Sequence, residues 1–85
     1  MKLFETIINM KINRMSTDEL LSIGGQYGIQ ISRQQGNQIV QLLRGKNINI
    51  FNESERNKLL AQIAQICNPT TAKQVESIFK QLTNT

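Results

Sequence analysis

Histidine and tryptophan are absent from this chain, which has one cysteine, one proline and one tyrosine. Without histidine it lacks the commonest general base near neutral pH and the commonest metal ligand. Cys67 alone cannot close an internal disulfide, so the small secreted scaffolds stapled by such bonds are excluded. No apolar run nears the ~18 residues that a membrane-spanning helix needs. Glu5 interrupts the stretch where a signal peptide would carry its hydrophobic region. The expectation is a cytoplasmic protein that makes no use of a membrane. Acidic residues are also scarce, six against ten basic ones, giving a net charge of +4 and a pI near 9.7. That balance permits an anionic partner, although solubility alone accounts for it in many small basic domains.

Chemistry is missing in other ways. Neither a phosphate-binding Walker loop nor a dinucleotide fingerprint occurs, and Gly24-Gly25 lies in the wrong context for either. Asp18 with Glu19, and Glu53 with Glu55, resemble carboxylate pairs. Their spacings of one and two residues point around a helix, and both pairs sit where helix N-termini favour negative charge. Cys67 falls on an apolar face with no base in its sequence neighbourhood, which reads as a small buried hydrophobe. The chain is therefore expected not to be an enzyme, and to hold no cofactor or metal.

What remains is helix-forming. Eighty-five residues make one domain, which buries only roughly 60–65% of its unfolded surface. Apolar spacing predicts an all-α fold, a compact bundle of about five short helices at approximately 2–11, 17–27, 33–44, 53–67 and 69–82. The first has its stripe on Leu3, Ile7 and Met10, widened by Phe4 and Ile8. Ser16 with Glu19 and Ser32 with Gln35 are capping-box patterns opening the second and third. Leu20, Ile23, Gly24 and Tyr27 form the second stripe, with Gly28 as a left-handed stop. Gly36, Ile39, Val40 and Leu43 form the third, followed by Gly45. Glycine inside a helix costs about 1 kcal/mol relative to alanine, so Gly24 and Gly36 are expected to mark close approaches of neighbouring helices. Asn52 caps the fourth helix, whose broad apolar face includes Leu59, Leu60, Ile63 and Cys67. Asn68-Pro69 opens the fifth, with Val75, Ile78, Phe79 and Leu82 facing inward.

One segment stands apart, running from 29 to 52. It carries Arg33, Arg44 and Lys46 and no acidic residue, and Asn47, Asn49 and Asn52 add amides able to bond phosphates or a partner's backbone. The plainer alternative is structural throughout. In it Ile48, Ile50 and Phe51 pin a connector, Asn52 caps a helix, and the cations suit a helix C-terminus. Nineteen residues are asparagine or glutamine, an excess that codon bias in an AT-rich genome explains by itself.

Two resemblances attach to these residues. Asn9-Met10-Lys11, Asp18-Glu19-Leu20, the block Arg44-Gly45-Lys46-Asn47-Ile48-Asn49-Ile50-Phe51-Asn52-Glu53, and Thr71-Ala72-Lys73 span nearly the whole chain. Through them it resembles a family of small uncharacterised proteins of low-GC Gram-positive bacteria, a domain of unknown function. That resemblance implies a small intracellular protein and brings no site to transfer. Between 17 and 45, Asp18-Glu19-Leu20, Tyr27-Gly28-Ile29-Gln30-Ile31-Ser32, Ile39 and Leu42-Leu43 are similar to the helix–extended–helix unit of SAP-type nucleic-acid-binding modules. It implies phosphate contacts at Arg33 and Arg44, with Lys46 just beyond. The intervening helix offers Gln34, Gln35, Asn37, Gln38 and Gln41 instead of lysines, so its charge density is low.

The leading expectation is a protein-interaction module that engages a protein partner through Arg44, Lys46, Asn47 and Asn49. The alternative is weak, largely sequence-independent nucleic-acid binding through Arg33, Arg44 and Lys46, assisted by Lys11, Arg14, Arg56 and Lys58. A homodimer is a further expectation, because several apolar stripes on so short a chain can leave one uncovered.

Overall fold

A computed structural model describes residues 2–83 and, among them, contains five helices and no strand. They are α1 (Lys2–Asn13), α2 (Thr17–Gln26), α3 (Arg33–Leu43), α4 (Glu53–Ile66) and α5 (Pro69–Thr83). The order and placement match the periodicity, with α1 extending two residues beyond its expected end.

The caps form as the sequence predicts. The Ser16 hydroxyl accepts from the Glu19 N–H while the Glu19 carboxylate accepts from the Ser16 N–H; Ser32 and Gln35 repeat the pattern. The Asn52 side chain accepts from the Glu55 N–H at 3.0 Å, and Asn68 from the Thr71 N–H at 2.7 Å. After α2 the chain turns through Gly28 at φ +72°. The Ile29 N–H donates to the Gly24 carbonyl and the Gly28 N–H to the Gly25 carbonyl, the two bonds of a Schellman stop.

Packing proceeds in pairs. α4 and α5, separated only by Cys67 and Asn68, lie along one another; α2 packs on α3; α3 also meets α4 and α1. The central cluster is built from Ile12, Ile39, Leu43, Ile50, Leu59, Leu60, Ile63, Ala72 and Phe79. Ile50 is wholly buried although it belongs to the connector 44–52 and to no helix.

Two expectations change. α1 turns Ile8 and Ile12 inward and leaves Leu3, Ile7 and Met10 outside, and Tyr27 at the end of α2 is likewise exposed. Apolar residues occur on two sides of α1, and periodicity does not say which side meets the core. The glycines also divide. A Cβ on Gly36 would meet Thr17 Cγ2 at 3.2 Å and Leu21 Cδ2 at 3.3 Å, a close approach to α2 as expected. A Cβ on Gly24 would meet the Ile29 carbonyl oxygen at 3.3 Å, so this glycine serves the turn that follows its own helix.

These local bonds can be tested singly. Gly25 has open space where its Cβ would be, whereas the obstacle at Gly24 is backbone held by the turn. Gly25→Ala should gain roughly 0.5–1 kcal/mol in urea unfolding, and Gly24→Ala should lose stability despite the same helix-propensity gain. The Glu19 carboxyl is held below the ordinary glutamate range, first by its hydrogen bond from Lys11, then by the Ser16 N–H and the Lys11 charge. A depressed carboxylate stabilises the fold above its unfolded pKa and loses that contribution as pH falls through the folded value. Melting temperature should therefore fall on acidification through and below the glutamate range, and Glu19→Gln should flatten that part of the profile.

Candidate functional site: the α1–connector groove

The connector 44–52 crosses α1, and amide side chains on the helix hold it there. Asn13 Oδ1 accepts from the Ile48 N–H at 2.9 Å while Asn13 Nδ2 donates to the Ile48 carbonyl at 2.8 Å. One turn earlier, Asn9 Oδ1 accepts from the Ile50 N–H at 3.1 Å and Asn9 Nδ2 donates to Asn49 Oδ1 at 2.8 Å. Asn13 Nδ2 also donates to the Asn9 carbonyl, locking the two together. A chain without a partner strand thereby satisfies its backbone groups beside the core, where water could not.

The clasp continues into α4. Asn49 Oδ1 accepts a second bond, from the Phe51 N–H at 3.0 Å; the Asn49 N–H donates to Glu55 Oε1 at 3.2 Å, and Arg56 Nη1 donates to the Ile50 carbonyl at 3.1 Å. Asn47 takes a left-handed conformation at φ +48°, two residues after Gly45 at +73°. Asparagine is among the few residues that accept this region readily.

Above the clasp lies a groove of about 410 Å³, lined by Thr6, Asn9, Met10, Asn13, Arg14, Arg44, Gly45 and Asn47. None of these lining residues is acidic. The guanidinium groups of Arg14 and Arg44 are exposed and form no ion pair or hydrogen bond with the described residues. The groove is thus a neutral, hydrogen-bonded floor between two uncompensated cations.

The sequence-predicted residues are distributed unevenly. Arg44 and Asn47 reach the groove; Lys46 lies between them in the chain, exposed, and does not line it. Asn49 is half-buried and committed to Asn9 and Phe51, so it belongs to the support beneath. Arg33 donates to Asp18 Oδ1 at 2.8 Å at the far end of α3, roughly 16 Å from Arg44 by helical rise. Of the assisting basic residues, Lys11 pairs with Glu19, Arg56 bonds the connector, and Arg14 joins the groove. Asn9 and Asn13 complete a set that the connector alone did not announce. Asparagine is a poor helix former, and two of them one turn apart inside α1 were the available signal that the backbone of another segment lies against that face.

Beside the groove, α1 carries an uncovered apolar stripe. Leu3 is 70% exposed, Ile7 56% and Met10 46%, at i, i+4 and i+7, with Phe4 next to them at 47%. Met10 belongs to both features, and Arg14 follows it one turn later on the same face. A second cleft of about 330 Å³ opens on the opposite side of α1, against α2 and α5, among Ile8, Leu20, Ile23, Tyr27, Val75 and Ile78. Its lining is almost wholly apolar, and Lys11 at its rim is tied to Glu19. Among the described residues no group of three or more His, Cys, Asp or Glu side chains could hold a metal ion, and no helix is long and apolar enough to cross a membrane. Burial pushes the half-buried Cys67 thiol upward, away from the reactive thiolate.

The profile of the DUF2624 family, described as proteins of unknown function, matches residues 1–83. An uncharacterised protein of Bacillus subtilis, YqfT, is 46% identical over 84 residues, which cover 99% of this chain and all of that relative. No solved structure matches.

The clasp makes a quantitative prediction. Asn13→Ala should gain a little helix propensity but strip both backbone partners from Ile48, for a net loss of about 1–3 kcal/mol in urea unfolding. Asn47→Gly, which keeps the left-handed turn and breaks no bond of the clasp, should stay within roughly 0.5 kcal/mol of the parent.

Proposed function

Since the chain belongs to the DUF2624 family of proteins of unknown function, we propose from its geometry that it is a non-catalytic protein-interaction module. It docks a partner on the outer face of α1 and the adjoining groove. The observation that carries this reading is the stripe of Leu3, Phe4, Ile7 and Met10. Among the described residues, four of the five large exposed apolar side chains lie within eight residues of one helix. Scattered exposed apolar residues are ordinary on protein surfaces, but a contiguous row beside a polar rim is characteristic of an interface.

Magnitudes set the partner's chemistry. Burying the exposed parts of these four side chains, 46–70% of each, supplies on the order of 3–7 kcal/mol. Association costs about 4–15 kcal/mol in lost freedom alone. The stripe therefore needs help, and the unopposed cations Arg14 and Arg44 stand at its C-terminal end, with Lys46 nearby in the chain. The fitting occupant is a protein segment with apolar side chains along one face and negative charge at the end that meets the groove. Nucleic-acid binding is the alternative; it would draw on Arg44, Arg14 and Lys46, with Arg33 already engaged by Asp18.

Affinity capture from the organism's own extract tests the reading when run on variants. A protein retained by the parent chain after nuclease treatment, kept by the α4 surface control Gln62→Ala and lost by Ile7→Ser and Met10→Ser, is the expected result. Retention unaffected by either α1 change would move the surface elsewhere. Recovery only before nuclease, with affinity falling by a salt slope near −0.9 per phosphate contacted, would favour nucleic acid. Light scattering that shows a dimer abolished by Ile7→Ser would make the occupant a second copy.

A further inference from the structure

We infer that the groove between α1 and the connector is a site for a phosphate monoester, held by Arg14 and Arg44. The inference rests on the docking reading only for the idea that the partner is negative at this end of α1; it specifies the group. Charge is the first argument. Arg14 and Arg44 both line one groove, neither guanidinium has a protein partner among the described residues, and no acidic residue is among the lining. A monoester near pH 7 carries close to two negative charges, which matches two arginines, whereas a carboxylate or a nucleic-acid phosphodiester carries one. Geometry is the second. Guanidinium forks bond phosphate oxygens in pairs, and about 410 Å³ accommodates the group together with the atoms that carry it.

The floor supplies the third argument. Asn9 and Asn13 are committed to Ile48, Asn49 and Ile50, so the groove's base is fixed before a ligand arrives. Asn47 at its edge is held in a left-handed turn and brings a further amide to the lining. A fixed base lowers the ordering cost of binding and leaves mainly the two arginine side chains to settle.

The test is a titration of the ¹⁵N-labelled full chain with inorganic phosphate, followed by NMR at pH 7.5 and constant ionic strength. Saturable shifts should appear at the Asn47 amide and the Arg14 and Arg44 side chains. Acetate and dimethyl phosphate, as the carboxylate and diester arms, should bind several-fold more weakly. Phosphoserine as a titrant should match or exceed inorganic phosphate, and a clearly weaker affinity would make free phosphate the ligand and overturn the monoester. Arg14→Gln and Arg44→Gln, both at exposed positions without side-chain bonds to lose, should each weaken phosphate roughly tenfold with an otherwise unchanged spectrum, while Arg33→Gln should not. Affinity for phosphoserine should also decline as pH falls through about 6, where its dianion gains a proton. Equal binding of acetate or dimethyl phosphate, no saturation, or equal loss in Arg33→Gln would overturn the assignment. Ile7→Ser should leave phosphate binding intact, so failure of the docking surface and failure of this site are read separately.

Discussion

The hydrogen bonds from Asn9 and Asn13 to the backbone at Ile48 and Ile50 set the geometry on which the remainder depends. A non-helical segment that delivers a wholly buried isoleucine to the core must carry its N–H and C=O groups past apolar neighbours, and each unmatched group would cost about 1–3 kcal/mol. Two side-chain amides one turn apart replace the edge of a strand. Because they occupy one face of α1, the helix has a single rotation available. Ile8 and Ile12 then face the core, and Leu3, Ile7 and Met10 face away.

The same set of bonds places α4. Asn49 is held from α1 and ties back to Phe51 and Glu55, Arg56 returns to the Ile50 carbonyl, and Asn52 caps the helix between them. Each neutral bond contributes only about 0.5–1.5 kcal/mol net, so their weight lies in direction more than in stability. They fix where α4 begins relative to α1, and the α4–α5 pair follows from that starting point. The groove is a by-product of this arrangement, since its floor is the clasp and its walls are the residues that flank it in sequence: Arg14 after Asn13, and Arg44 with Gly45 and Asn47 before Ile48.

Much of this was readable from residues alone. Ser16–Glu19, Ser32–Gln35, Asn52 and Asn68 each cap where their spacing says, because capping depends on three or four consecutive residues and little else. Ile48, Ile50 and Phe51 pin the connector for an equally local reason, the alternation of apolar and amide side chains. The facing of α1 was not readable: apolar side chains line two of its sides, and the choice is made by a segment some forty residues away. Nor could composition separate the working amides from the rest. Codon usage accounts for an abundance of asparagine, but it does not account for Asn9 and Asn13 standing one turn apart with both ends of each amide occupied. At the groove the connector supplied Arg44 and Asn47; Arg14 was legible only as one of several assisting cations, and its place beside Arg44 emerged when α1 was laid against the connector.

The two exposed features of α1 follow from one cause. A helix that is apolar on one side and clasped by amides on the next has two positions left for its remaining residues, and here they hold an apolar row ending in an arginine. Neither is needed to hold the fold. The core closes without Leu3 and Ile7, and the Arg14 and Arg44 side chains bond nothing among the described residues. Like charges that line one groove in water repel only weakly, a cost that a small fold tolerates and that a bound anion reverses. Apolar surface in water favours burial, and unpaired cations sharing one groove favour an anion. Their convergence at Met10 and Arg14 makes one surface of them: a row that rewards burial, ending in a rigid-floored groove that rewards negative charge.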